Sequence, residues 1–220
     1  MRKIRTASFV SLDGVMQAPG GPDEDTTGGF RFGGWVWPHF DEASGGLMAE
    51  AMGEDYDLLL GRRTYEIFAA YWPHMDDAIG RTFNGINKYV AAGPDTPMTW
   101  AHSHRLAGDL SDAVRALKAT EGRDLLIQGS SELIHTLLAH DLIDQLTLLT
   151  FPVILGAGKR LFDDGAHPRA WTLTRTRKSA SGVVAHTWEK TDLPPPTGSF
   201  GEIEPDEAEL ARRARWARES

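Results

Sequence analysis

The sequence predicts an α/β fold: a mixed, mostly parallel sheet of eight strands flanked by helices and closed by an antiparallel C-terminal hairpin. Three observations carry this. Short apolar runs at residues 57–60 and 125–127 end abruptly at Gly61 and Gly129, and residues with helical spacing follow each. A further apolar run at 146–151 follows the second helix, which completes the strand–helix–strand crossover that parallel strands require. Residues 171–177 and 183–189 are joined by Ser179-Ala180-Ser181-Gly182, a hairpin signal. Strands alternating with helices in this way build layers rather than a barrel.

The elements follow in order. Residues 4–12 are rich in β-favouring side chains, and Phe9, Val10 and Leu12 fall on both faces, as a strand covered on both sides requires. Asp13-Gly14 ends it, and Asp13 reads either as turn chemistry or as a ligand group at the edge of an open sheet. Residues 17–46 form a long glycine-rich segment carrying Phe30, Phe32, Trp35, Trp37 and Phe40. A segment this long is usually functional or disordered, and the aromatics favour a lid, with a core cap or subunit contact as the alternative. Leu47, Met48, Ala51 and Met52 have helical spacing. Gly61-Arg62-Arg63-Thr64 then leads into Tyr65, Phe68, Ala69 and Trp72, at i, i+3, i+4 and i+7. Residues 88–92 and 98–100 read as strands, with His102 and His104 on the loop after them. Residues 110–119 read as a helix capped by Asp109 or Ser111.

After Gly129, Leu133, Ile134, Leu137 and Leu138 make one apolar helix face. Pro194-Pro195-Pro196 marks a stiff linker that separates a domain over 1–191 from a tail over 192–220. The tail carries a helix at 205–218, acidic at its start and arginine-rich at its end. Its narrow apolar stripe, Leu210, Ala214 and Ala217, suits docking on the body or on a second subunit.

Bulk properties narrow the function. The 220 residues are 41% hydrophobic, enough for a substantial core, and 23 basic against 31 acidic residues give a net charge of -8. No segment is basic without neighbouring acids, so no nucleic-acid partner is expected. The chain has no cysteine, which excludes disulfides, thiolate metal sites and a cysteine nucleophile. The N-terminus turns polar within a few residues, so neither a signal peptide nor a membrane partner is expected, and the cytoplasm is the expected compartment.

Some motifs fail. Gly156-Ala157-Gly158-Lys159-Arg160 lacks the hydroxyl residue after lysine that a P-loop needs, and Val153 stands where its first glycine belongs. Eight histidines form no ligand cluster, and the pairs Asp76-Asp77 and Asp163-Asp164 read as surface acids, so no metal is expected. No Gly-x-Ser-x-Gly elbow supports a serine hydrolase. What remains is two glycine-terminated strands that each feed a helix start. Free N–H groups there suit a phosphate, and Arg62 and Arg63 would fork onto it.

Four separated motifs carry a resemblance: Ser11-Leu12-Asp13-Gly14-Val15-Met16, Leu60-Gly61-Arg62-Arg63-Thr64-Tyr65-Glu66, Gln128-Gly129-Ser130-Ser131-Glu132-Leu133, and residues 151–158, which include Ile154. In this order and spacing they resemble the dihydrofolate-reductase-like superfamily. Within it the chain is most similar to the branch named after the C-terminal reductase domain of bifunctional riboflavin-biosynthesis proteins, over about residues 3–190. The resemblance implies a dihydrofolate-reductase-like NADPH-dependent reductase, a homodimer acting on a small-molecule substrate.

The resemblance also implies roles. Gly61, Arg62, Arg63 and Thr64 would hold phosphates, the arginine reaching the adenosine 2′-phosphate. Gly129, Ser130, Ser131, Glu132 and Leu133 would cradle the pyrophosphate. Ala7 falls at the nicotinamide amide, Ala92 and Gly93 near the adenine, and Ile154 also at the cofactor. Met16, Trp35, Phe40, Tyr65, Phe68 and Gln128 would face the acceptor, with Asp13 as the catalytic residue, a substrate ligand or proton relay. Two departures stand out. Asp41 and Glu42 are the only candidates for the pocket carboxylate of dihydrofolate reductases, and Gln128 replaces the glutamate usual in the riboflavin branch. The expected reaction is hydride transfer to a heterocyclic or sugar-like C=N or C=O acceptor, as in 5-amino-6-(5-phosphoribosylamino)uracil reductases. The alternative is a non-enzymatic nucleotide- or small-molecule-binding module on the same fold.

Overall fold

The structure is a computed structural model that describes residues 1–162, 166–199, 201 and 204–219. The pair Asp163-Asp164 lies outside the described residues. The strands are β1 (Ile4–Ser11), β2 (Tyr56–Gly61), β3 (Lys88–Ala91), β4 (Ser103–Arg105), β5 (Asp124–Ile127), β6 (Gln145–Phe151), β7 (Trp171–Lys178) and β8 (Val184–Lys190). The helices are α1 (Glu42–Met52), α2 (Arg62–Tyr71), α3 (Ala78–Gly85), α4 (Leu110–Ala119), α5 (Ser131–Ala139) and α6 (Glu207–Trp216). The strands form one sheet in the order β4-β3-β2-β5-β1-β6-β8-β7. From β4 to β6 all pairs are parallel, and β8 and β7 add antiparallel, as the sequence predicts.

Alternation of side chains divides the core between two faces. Ala7, Leu58, Leu60 and Leu126 face one side, where Met52 of α1, Tyr65 of α2, Phe83 of α3 and Phe30, Trp35 and Val36 of the long segment cover them. Ile4, Val10, Leu59, Leu125 and Ile127 face the other, under Val114 of α4 and Leu133, Ile134, Leu137 and Leu138 of α5. Tyr56, Asp57, Leu58, Leu59 and Leu60 are all buried, which explains the continuous apolar run that marks a strand covered on both faces.

Two expectations are corrected. Residues 98–100 are not a strand; the pairing strand is β4, and it takes up His104 beside Tyr89. Trp100 is instead pinned in the core: its N–H donates to the Tyr65 hydroxyl at 3.1 Å, its indole N–H to Asn84 at 2.8 Å, and the Lys88 ammonium sits 4.2 Å from its ring. The second correction lies at α3, a helix the sequence reading did not assign. Asp77, one of the supposed surface acids, caps it by accepting from the Gly80 N–H. The tail helix α6 has no buried residue.

The N-terminal edge of the sheet is gathered on one side chain. Arg2 pairs with Asp57 of β2 at 2.5 Å, donates to the Arg123 carbonyl before β5, and lies over the Tyr89 ring of β3. Both members of the pair are nearly sealed, with side chains 2% and 4% exposed. Asp57 also accepts from both N–H groups of Asn87. Breaking such a pair strands a buried guanidinium, so Asp57→Ala is expected to lower the unfolding free energy by about 3–5 kcal/mol, read as a shift in urea midpoint.

Candidate active site

A cavity of about 1030 Å³ opens at the C-terminal ends of β2, β3 and β5, on the face covered by α1 and the long segment. Two strand–helix junctions build one end of it. β2 stops at Gly61 and β5 at the Gln128-Gly129 turn, and the junctions clasp each other. The Gly61 N–H donates to Ser130 Oγ at 2.9 Å, and the Ser130 N–H donates to Thr64 Oγ1 at 3.0 Å. Gly129 (φ +59°) and Ser130 (φ +61°) are both left-handed, and a Cβ on Gly129 would stand 3.0 Å from Thr64 Oγ1. The position therefore demands glycine.

The clasp leaves both helix starts open. α1, α3, α4 and α6 are each capped by an aspartate, Asp41, Asp77, Asp109 and Asp206. Neither α2 nor α5 has a side-chain cap. The first-turn N–H groups of Arg62, Arg63, Thr64, Ser131, Glu132 and Leu133 have no partner within their helices. All six residues line the cavity, and Arg62 and Arg63 add positive charge. This donor set fits the pyrophosphate of a dinucleotide and carries no carboxylate cap that would repel it.

Beside the clasp the sheet splits. β1 pairs with β5 only as far as Thr6 and Ile127, yet runs on with β6 to Ser11. The Lys3 carbonyl accepts from Leu125 on the β5 side, and the Ile4 carbonyl accepts from Asp144 on the β6 side, so odd-numbered backbone groups of β1 point toward β5. The Ala7 carbonyl and the backbone of Phe9 therefore face the opening, beyond the last β5 partner. Ala92 and Gly93 line the wall at the end of β3. Gln128 lines the cavity on the face of Leu126; it is 7% exposed, and its amide nitrogen has no hydrogen-bond partner.

The lid is an ordered flap. The Trp35 indole N–H donates to the Gln17 carbonyl at 2.8 Å and the Trp37 indole N–H to the Gly20 carbonyl at 2.7 Å. Gln17 in turn donates to the carbonyls of Asp25 and Thr27 and accepts from the Lys159 N–H. Lys159 also pairs with Asp25. The glycine-rich segment that fails as a P-loop is thus the latch of the lid. Gly158 (φ +123°) lets Phe30 and Val15 pack against it, where a Cβ would come within 2.9 and 2.7 Å. Sequence reading missed Gln17, Asp25 and Lys159, because their partners lie 134–142 residues apart.

Most residues expected at the site line the cavity: Ala7, Met16, Phe40, Gly61 to Thr64, Phe68, Ala92, Gly93 and Gln128 to Leu133. Four do not. Trp35 and Tyr65 are buried core residues, spent on the Gln17 carbonyl and on the Trp100 N–H. Ile154 is 74% exposed outside the cavity. Asp13 also stands outside it, its carboxylate taken up by the Ser11 hydroxyl and the N–H groups of Leu155 and Gly156.

The Ser11 hydroxyl foremost, against the effect of burial and with the two loop N–H groups, holds the Asp13 pKa down at about 2. A group ionised that far down has no proton to give near neutrality. Asp41 likewise is held low by the Ser44 N–H as the α1 cap and is not in the lining. Within the lining, burial raises the pKa of Glu24, which accepts from the Gly20 N–H. Burial opposes the charge on Asp25, but Lys159 and Thr27 outweigh it and hold that carboxylate low. Among the described residues no group of three or more His, Cys, Asp or Glu is placed to hold a metal ion, and no helix is long and apolar enough to cross a membrane.

A sheet of this order, split at its centre beside two uncapped helix starts, is the dihydrofolate-reductase-like fold. More narrowly, the chain belongs to the RibD C-terminal domain family, whose model matches residues 2–185. Among curated proteins it is similar to the uncharacterized protein YyaP of Bacillus subtilis (strain 168), 24% identical over 188 residues that cover 83% of this chain and 92% of YyaP. YwjB of the same organism, also uncharacterized, is 26% identical over 136 residues, 59% of this chain and 71% of YwjB.

Three solved structures share the fold. A putative riboflavin biosynthesis protein from Shewanella sp. PV-4 superposes with a TM-score of 0.60 at 20% identity, covering 87% of this chain and 99% of that one. A pyrimidine reductase-like protein from Corynebacterium diphtheriae gives 0.56 at 14% identity, covering 86% and 92%. Dihydrofolate reductase from Enterococcus faecalis, complexed with NADP(H) and RAB-propyl, gives 0.56 at 12%, covering 86% and 97%.

The Asp13 environment sets a pH dependence. Its pKa is lowered on folding, so the stability it contributes is fully present above the unfolded value of 3.8 and is lost as pH falls through about 2. Asp13→Asn is expected to flatten the loss of thermal stability across that window, followed by circular dichroism, and to leave nucleotide binding at pH 7 unchanged.

Proposed function

We propose that this protein is an NADPH-dependent reductase that reduces a C=N or C=O bond of a small acceptor. The observation that carries this reading is the pair of uncapped helix starts clasped at Gly61, Ser130 and Thr64, which turns six N–H groups and two arginines onto one end of the cavity. The pyrophosphate would take the N–H groups of α2 and α5. Arg62 and Arg63 would receive the 2′-phosphate; Arg62 now pairs with Glu66 on the exposed helix face, a weak bond that a phosphate would outcompete. The Ala7 carbonyl, left without a β5 partner, would accept from the nicotinamide carboxamide and fix the ring against β1.

When bound, NADPH supplies a hydride and its electron pair. The chain's part is to orient and to exclude water. The flap over residues 17–40 closes the cavity through the Gln17, Asp25 and Lys159 latch, and Gln128 presents an amide donor beside the clasp.

Titration of intrinsic fluorescence with NADPH and NADH tests the reading. NADPH is expected to saturate and to bind at least ~10-fold tighter, equivalent to about 1.4 kcal/mol. Absence of saturable binding of either dinucleotide would overturn the proposal, and equal affinities would remove the arginines from the 2′-phosphate. Arg63→Asp is a clean probe, because an acid in the first turn suits the helix dipole but repels phosphate. It is expected to keep the melting temperature and to lose about tenfold or more in NADPH affinity.

A further inference from the structure

The far end of the cavity has a different chemistry from the clasp. α2 runs from one end to the other: Arg62 and Arg63 stand in its first turn, and Phe68 and Trp72 line the cavity up to ten residues on, about 15 Å away at a rise of about 1.5 Å per residue. Two groups of aromatic rings line the cavity. On one side Phe40 packs edge-on against Phe9 of β1, with ring centroids 6.1 Å apart, and against Trp37 at 5.3 Å. On the other, Phe68 stacks on Phe83 at 5.9 Å and Trp72 meets Phe83 at 4.9 Å. Met48 and Met52 of α1 add adaptable thioethers.

This end has no cation to offer. Among the described lining residues the basic ones are Arg62 and Arg63 at the clasp and Lys159 in its pair with Asp25. The nearest acid on the α3 side, Asp77, is spent as a helix cap. An anionic group brought here would give up its hydration with no positive partner to replace it. Gln128, whose amide nitrogen lacks an acceptor, lies beside the clasp and not at this end.

From this division we infer that the acceptor is a planar, uncharged, largely apolar ring, a quinone or an unphosphorylated heteroaromatic C=N compound, held against these aromatic rings. A phosphoribosyl-bearing pyrimidine does not fit this end. The chemistry rests on the reductase reading above. A hydride with its two electrons adds to the ring, the C=N or C=O π bond breaks, and a proton from solvent completes the new N–H or O–H. The dihydronicotinamide is oxidised as the ring is reduced. The binding itself does not depend on that reading.

A matched pair tests the inference: 1,4-naphthoquinone and 1,4-naphthoquinone-2-sulfonate, titrated calorimetrically into the full chain with and without saturating NADP⁺. The chain has no cysteine, so thiol adducts do not confuse the quinone titration. The neutral ring is expected to bind at least ~10-fold tighter than the sulfonate. Trp37→Ala should weaken it about tenfold with the fold intact, since Trp37 is 59% exposed. Met48→Lys should shift preference toward the sulfonate. Equal or tighter binding of the sulfonate, or no saturable binding of either compound, would overturn the inference. If NADP⁺ binds and the ring does not, the substrate class falls and the reductase reading stands. If the ring binds and NADP⁺ does not, the reductase reading falls while the ring site stands.

Discussion

Everything at the candidate site depends on the clasp between Gly61, Thr64 and Ser130. Two hydrogen bonds of ordinary length join strand–helix junctions that are nearly seventy residues apart in the chain. Ser130 is the N-cap residue of α5, whereas Thr64 sits in the first turn of α2, whose N-cap is Gly61. Ser130 Oγ turns away from its own helix to accept from Gly61, and Thr64 Oγ1 accepts from Ser130, so neither hydroxyl reaches the N–H groups of the following turn. The same contacts that fix the distance between the two helix starts keep those starts open. Four aspartate caps elsewhere show what this chain does at a helix start that has only to be stable.

The fold was largely legible in the sequence because its signals are local. Gly61 and Gly129 end buried runs, and Ser179 to Gly182 form the turn between β7 and β8, with the Ser179 N–H bonded to the Val183 carbonyl. The misreadings came from tertiary override. Trp100 looked like part of a strand because it is apolar, but its burial is bought by bonds to Tyr65 and Asn84 rather than by a strand partner. Asp77 looked like a surface acid because its use as a cap depends on Gly80, whose missing Cβ lets the helix sit against the Met75 carbonyl.

The site was legible in part. Glycines and arginines at strand ends announce a phosphate site through chemistry that any sequence displays. The aromatic content of the lid did not announce which rings face inward. Trp35 and Phe30 anchor the flap in the core, whereas Trp37 and Phe40 are the ones that line the cavity. Asp13 meets a related limit of local patterns. Its position at the end of β1 suggested catalysis, but the loop at 155–156 reaches it from 142 residues away and takes its charge. No local pattern carries that contact.

The pin at Arg2 gives the split in the sheet a mechanical meaning. At the N-terminal edge, β1, β2, β3 and β5 are drawn together by one guanidinium; at the C-terminal edge, β1 and β5 part company after Thr6 and Ile127. The split therefore opens from a paired root, Ile4 to Thr6 against Leu125 to Ile127, and the Arg2 pin lies behind that root. The closed end of the split is thus held by a buried ion pair that does not line the cavity.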